Sequence, residues 1–171
     1  MIFFHDEIEE PDLVKGLVAG VAGGLVASFL MGQFQALWTA ASEKVQGRKP
    51  GRPPKPTTVK AADAISERVV GTKIPKKHQE LAGDAMHYTM GASSGAVYGM
   101  LAEVAPIVTV GDGAAFGAAV WLAADEAALP ALGLTKGPTE IPVATHVYAF
   151  FSHVVYGVVT EAVRRGMRNA L

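Results

Sequence analysis

GLVAGVAGGLVASFLMGQFQALWTAA, residues 16–41, contains 26 consecutive residues without a formal charge. As an α-helix it would be about 39 Å long, more than the roughly 30 Å hydrocarbon core of a bilayer. A run this long and uniform is rare outside membranes, so it argues for a spanning helix over a soluble globule of four buried helices. Gly16, Gly20, Gly24, Ser28, Gly32, Ala36 and Ala40 recur every fourth residue within it. They form one straight face of small side chains, along which another helix backbone can approach closely in lipid.

The rest of the chain suits the same environment. Half of the 171 residues are hydrophobic, 18% are charged, and there are 19 glycines. Soluble domains carry more charge, and transmembrane helices tolerate more glycine. Three further apolar stretches follow, giving expected spans at about 16–41, 84–103, 112–129 and 142–163. The third is the weakest, because its uncharged part covers only twelve residues. The expectation is an all-α fold, a four-helix transmembrane bundle forming a single integral membrane domain over residues 1–171.

The long loop 42–83 joins the first two spans. Its first part, VQGRKPGRPPKPTT, is Pro-rich and basic and reads as extended. Its second part places Val59, Ala62, Ile65, Ser66 and Val69 at helical spacing. Lys60, Asp63, Glu67 and Arg68 fall on other faces. That predicts a short amphipathic helix lying on the membrane surface. Gly51-Arg52-Pro53 has the core of a minor-groove hook, but headgroup attraction accounts better for a basic loop beside spanning helices. No nucleic-acid partner is expected; the expected partners are membrane lipids and either further copies of the chain or a larger membrane complex.

Small residues recur in the other spans, at Gly91, Gly95 and Gly99, at Gly113 and Gly117, and at Ala149 and Gly157. In each of these spans an ionisable residue lies on the small-residue face. His87 extends the second, Asp125 the third, and His146 and His153 the fourth. WLAADEAALP, residues 121–130, adds Glu126 beside Asp125. Charged groups at membrane depth face the bundle interior or a partner. His87, Asp125, Glu126 and His146 therefore share the leaflet on the side of the long loop, with His153 about two turns deeper. In an α-helical register Asp125 faces the bundle, near His87 and His146. Glu126, about 100° away, lies nearer the headgroups. Such a cluster either ties helices together by hydrogen bonds or handles protons.

No P-loop, HExxH or nucleophile-elbow context is present, so no catalytic residue and no enzyme activity are expected. The chain lacks cysteine, which excludes thiolate metal sites and disulfides. Haem between His87 and His146, or a divalent metal on His87, His146 and Asp125, is the cofactor chemistry the remaining ligands allow. Glu103, Asp112, Glu161 and the terminal arginines sit near helix ends, where solvation accounts for them. The long-loop side carries ten Lys/Arg in residues 42–83 plus Lys136, against Lys15, Arg164, Arg165 and Arg168 on the other. The positive-inside rule places the loop in the cytoplasm.

HYTMGASSGAVYGMLAEVAP, then ALPALGLTKGP, then FFSHVVYGVVTEAVRR resemble the YagU-like inner-membrane family, a domain of unknown function. The matching positions are His87, Glu103, Pro130 to Thr135, His153, Glu161 and Arg164–Arg165, over roughly residues 80–168. The resemblance implies a small multi-pass protein of the bacterial inner membrane. It implies no activity.

Overall fold

The computed structural model describes residues 10–46 and 55–171. The acidic N-terminal segment and most of the Pro-rich basic stretch, on which the extended-loop and minor-groove readings fall, lie outside the described residues. Every long element is helical, and no strand occurs among the described residues. Helix α1 is Leu13–Gln46, α2 Thr57–Val70 and α3 Gln79–Val104. A fourth helical segment combines α4, Ala114–Trp121, a π-helical stretch, Leu122–Ala128, and the single turn α5, Leu129–Ala131. Helix α6 is Val143–Ala170.

Local chemistry sets these boundaries. Asp12 accepts hydrogen bonds from the Val14 and Lys15 N–H groups, 3.0 Å each, and so caps α1. Those donors, Lys15 first, hold its carboxyl below the ordinary range, although burial opposes them. Helix α2 stops at Gly71, whose φ of 80° is the left-handed conformation that ends many helices. The sharp reversal into α4 uses three successive positive-φ residues, Gly111, Asp112 and Gly113. Pro142 precedes α6, where its missing N–H costs nothing.

The helices meet along glycine seams. Helix α1 packs on α3 and α6, α4 packs on α6, and α2 packs on α3. A methyl group on Gly20 would strike the Gly95 and Gly99 backbones, and one on Gly24 the Gly91 carbonyl. Gly16 meets Gly99 and Glu103, and Gly91 meets Ser28. The same closeness joins Gly113 and Gly117 to Gly157 and His153 across α4 and α6. Gly23, off the four-residue stripe, packs against Thr160 and gives α1 a second seam toward α6. Gly32 departs from the expectation: nothing lies within 4 Å of its would-be Cβ. The close approaches to α3 along the stripe run from Gly16 to Ser28.

Two helices among the described residues, α1 and α6, are long and apolar enough to cross a membrane. Both are less than half buried in the fold. Val14, Val26, Phe29 and Phe151 are among their exposed apolar side chains. Four crossings are more than these two helices establish. Helix α3 alternates its apolar residues with polar ones, and the fourth segment spends its short length on three backbone geometries. Within the former loop, Asp63 is buried on α2 instead of lying on an outer face. It pairs with Lys55 and accepts the Ile74 N–H at 3.1 Å.

Candidate functional site

The carboxylates of WLAADEAALP stand on the π-helical stretch. Pro130 has no N–H to give the carbonyl four residues back, and the turns before it widen to five-residue hydrogen bonds, including Leu129 N–H to Ala124 O. Widening changes which way consecutive residues point. Asp125 and Glu126, which diverge on an α-helix, both meet histidines of α6. Glu126 Oε1 lies 2.6 Å from His146 Nδ1. Asp125 Oδ2 lies 3.7 Å from His153 Nδ1. The Glu126 side chain is 13% exposed and that of Asp125 30%, so both are largely covered and both turn toward α6.

Two ring protons follow from the acceptors. His146 Nε2 lies 3.0 Å from the Pro138 carbonyl, which can only accept, so Nε2 carries a proton. The remaining proton of the His146–Glu126 pair sits on the Nδ1–Oε1 axis, as imidazolium with carboxylate or as imidazole with carboxylic acid. His153 donates from Nδ1 to the Ala149 carbonyl at 2.9 Å. The side of α6 facing the fourth segment thus carries two histidine–carboxylate couples, one geometrically tight and one loose. A shallow apolar groove lined by Trp121, His146, Val147, Phe150 and Phe151 opens beside the tighter couple.

His87 does not join them. Its Nε2 donates to the Ser28 carbonyl at 3.1 Å, tying α3 to α1 where the glycine seam ends. The single five-residue cluster expected from sequence is two couples and a separate tie. No group of three or more His, Cys, Asp or Glu among the described residues is arranged to hold a metal ion. The His87–His146–Asp125 set is not assembled as a metal site among the described residues, and the recorded hydrogen bond of His87 is to α1.

The opposite end holds what sequence reading missed. Glu161 is 1% exposed. Arg164 donates to it twice, from Nε at 2.6 Å and from Nη2 at 2.9 Å. Arg165 Nε donates at 2.6 Å and the Tyr98 hydroxyl at 2.8 Å. Four donors fill the acceptor sites of one carboxylate. Arg165 also reaches Asp112 at 2.8 Å. Arg168 donates to Glu103 at 3.0 Å, and Glu103 accepts the Asp12 N–H at 3.1 Å. The clasp joins the start of α1, the end of α3, the turn before α4 and the end of α6. Solvation at helix ends does not account for Glu161, Glu103, Arg164 and Arg168, which are covered, whereas Asp112 and Arg165 stay exposed to it. The signal available in the sequence was Glu161 with Arg164 and Arg165 at three- and four-residue spacing.

Between the two ends, Tyr156 donates to the Gly91 carbonyl at 2.7 Å and lies 2.8 Å from Ser94 Oγ. Tyr98 stacks on Phe116, with centroids 4.2 Å apart.

Fold and site define an all-α bundle with glycine seams, two membrane-length helices, a buried ionic clasp at one end and histidine–carboxylate couples at the other. Residues 47–162 match the family described as "Protein of unknown function (DUF1440)". The match covers more than half of the chain, which therefore belongs to that family, in keeping with the YagU-like resemblance. No curated protein and no solved structure matches the chain.

Proposed function

We propose that the chain is a four-span bundle of the bacterial inner membrane, non-enzymatic, and that it acts as a structural or accessory subunit packing against itself or a larger membrane complex. The observation that carries this reading is the pairing of backbone-tight glycine seams inside with exposed apolar side chains outside, on α1 and α6. Lipid has no hydrophobic force to press helices together, so close backbone approach supplies the packing that water would otherwise drive. In this reading the seams act as glycine zippers, α3 and the 114–131 segment cross beside α1 and α6, and the loop side faces the cytoplasm. The test is impermeant thiol labelling of Ser66→Cys and Asn169→Cys in intact cells, together with mass spectrometry of everything retained after mild-detergent purification. Labelling at 169 but not at 66, with a stable partner or homo-oligomer, supports the reading. Labelling at 66 alone reverses the orientation, and a water-soluble monomer ends the proposal.

The His146–Glu126 couple favours a second reading, proton or ion handling along α6. A short hydrogen bond between two titratable groups can store and release one proton. A pH-dependent flux in liposomes that Glu126→Gln abolishes would raise it above the first.

A further inference from the structure

Helix α2 has one docked face and one unsatisfied edge. Val59 fills the space beside Gly83 on the first turns of α3, and Val59, Ala62 and Asp63 are buried. Ile65 and Val69, four residues apart and so on one face, are 54% and 78% exposed. Arg68, next to Val69 in sequence, and Lys73, Lys76 and Lys77 of the turn that follows α2 are exposed, with Lys73 standing 4.0 Å from Glu67. Aliphatic side chains bordered by cations are the chemistry of a helix that lies in a headgroup layer.

With α3 crossing the membrane, depth supports the same assignment. Glu103 belongs to the ionic clasp, where α3 meets water at one end. From Glu103 back to Gly83 along α3 is 20 residues, about 30 Å of helix, one hydrocarbon thickness. Helix α2 docks at that level, on the other boundary. Lys60 Nζ, 3.3 Å from the Leu134 carbonyl, fastens it to the second loop on that side.

We propose that α2 and the turn after it form an interfacial site for anionic phospholipid headgroups, with Ile65 and Val69 inserted among the acyl chains and Arg68, Lys73, Lys76 and Lys77 facing the phosphates. The inference rests on the membrane-spanning reading and adds a leaflet and a lipid charge to it. Each cation near an anionic leaflet contributes attraction that salt weakens.

The native chain has no cysteine, so single labels are clean. The full chain carrying Ile65→Cys, Glu67→Cys or Val26→Cys is labelled with an environment-sensitive fluorophore. It is reconstituted in vesicles of phosphatidylcholine, with or without phosphatidylglycerol, and probed with an aqueous quencher. The label at 65 is expected to be quenched roughly threefold less when phosphatidylglycerol is present, and the label at 67 to remain accessible. Exchanging Lys73, Lys76 and Lys77 for Glu should remove that lipid dependence. A label at 65 equally accessible in both lipids, with Val26 protected, overturns the headgroup site and leaves the spanning reading intact. Water access at Val26 overturns both. Protection at 65 that rises with protein density in phosphatidylcholine alone assigns the edge to a second copy and overturns the lipid assignment.

Discussion

The two ends of α6 hold charge in opposite ways. At its C-terminal end, Glu161 is filled by four donors from two arginines and a tyrosine, and arginine stays charged at every accessible pH. At its N-terminal end, Glu126 and Asp125 each face one histidine, at 2.6 and 3.7 Å. The first arrangement stays paired wherever its carboxylate is ionised. The second is built of two histidines and two carboxylates, the carboxylates standing on a π-helical stretch, a feature frequent at functional sites. The difference separates a lock from a place where chemistry or motion can occur, though both consist of acidic residues opposite basic ones.

The largest test breaks the lock. Glu161→Ala leaves the buried Arg164 and Tyr98 hydroxyl, and the half-exposed Arg165, without their shared acceptor. Removing one partner of a buried ionic network costs about 3–5 kcal/mol. Thermal unfolding in detergent should show that loss at neutral pH and a smaller one only in acid, where protonation breaks the pairs in the native chain too; a loss that changes through the histidine range would place Glu161 with the titratable end.

A smaller effect comes from the seam joining the two ends. The side chain of Gly24→Leu would run into the Gly91 carbonyl and Ala92, and overpacking of this kind costs about 1–3 kcal/mol. Gly32→Leu, into open space, and Val26→Leu, on the outward face, should each change the melting temperature little. Equal melting temperatures for Gly24→Leu and Gly32→Leu would show that backbone contact is not what holds α1 to α3.

The couples themselves come next. Glu126→Gln removes the short bond to His146 and should cost about 1 kcal/mol, with loss of a pH-dependent step in stability or flux. Asp125→Asn, acting across 3.7 Å, should do less on both measures. The opposite order would mean that the looser Asp125–His153 couple carries the pH dependence.

The smallest effect concerns α2. Lys55 first, then the Ile74 N–H, hold the Asp63 carboxyl below its ordinary value of 3.8, against the opposing pull of burial. A carboxylate whose folded value is depressed stabilises the docked turn fully above the unfolded value. That stabilisation is lost as pH falls through the folded value. Amide exchange at Ile74 should therefore accelerate in acid, below about pH 4. Asp63→Asn should exchange faster at neutral pH and respond less to acid.

The glycine face of α1 was legible because a four-residue spacing fixes a helix face without knowledge of the partner. The open space at Gly32 was not, since that depends on where the neighbouring helices lie. The side assigned to Asp125 and Glu126 was legible only under an α-helical geometry that the segment before Pro130 does not keep. The clasp escaped notice for another reason. Glu103, Asp112, Glu161 and Arg168 are far apart in sequence, and near helix ends they look like ordinary solvated charges. That pairing gives Arg164, Arg165 and Arg168 a role in holding helix ends together.

The sequence by itself determined the helices, their approximate ends and the faces along which they approach, because apolar runs, glycines and prolines act within a few residues of themselves. Tertiary structure alone decided which carboxylate meets which histidine, and that four chain segments close on Glu161 and Glu103. A buried charge is stabilised by whichever donors the fold delivers to it, and that choice is made across long sequence separations where local pattern carries no information.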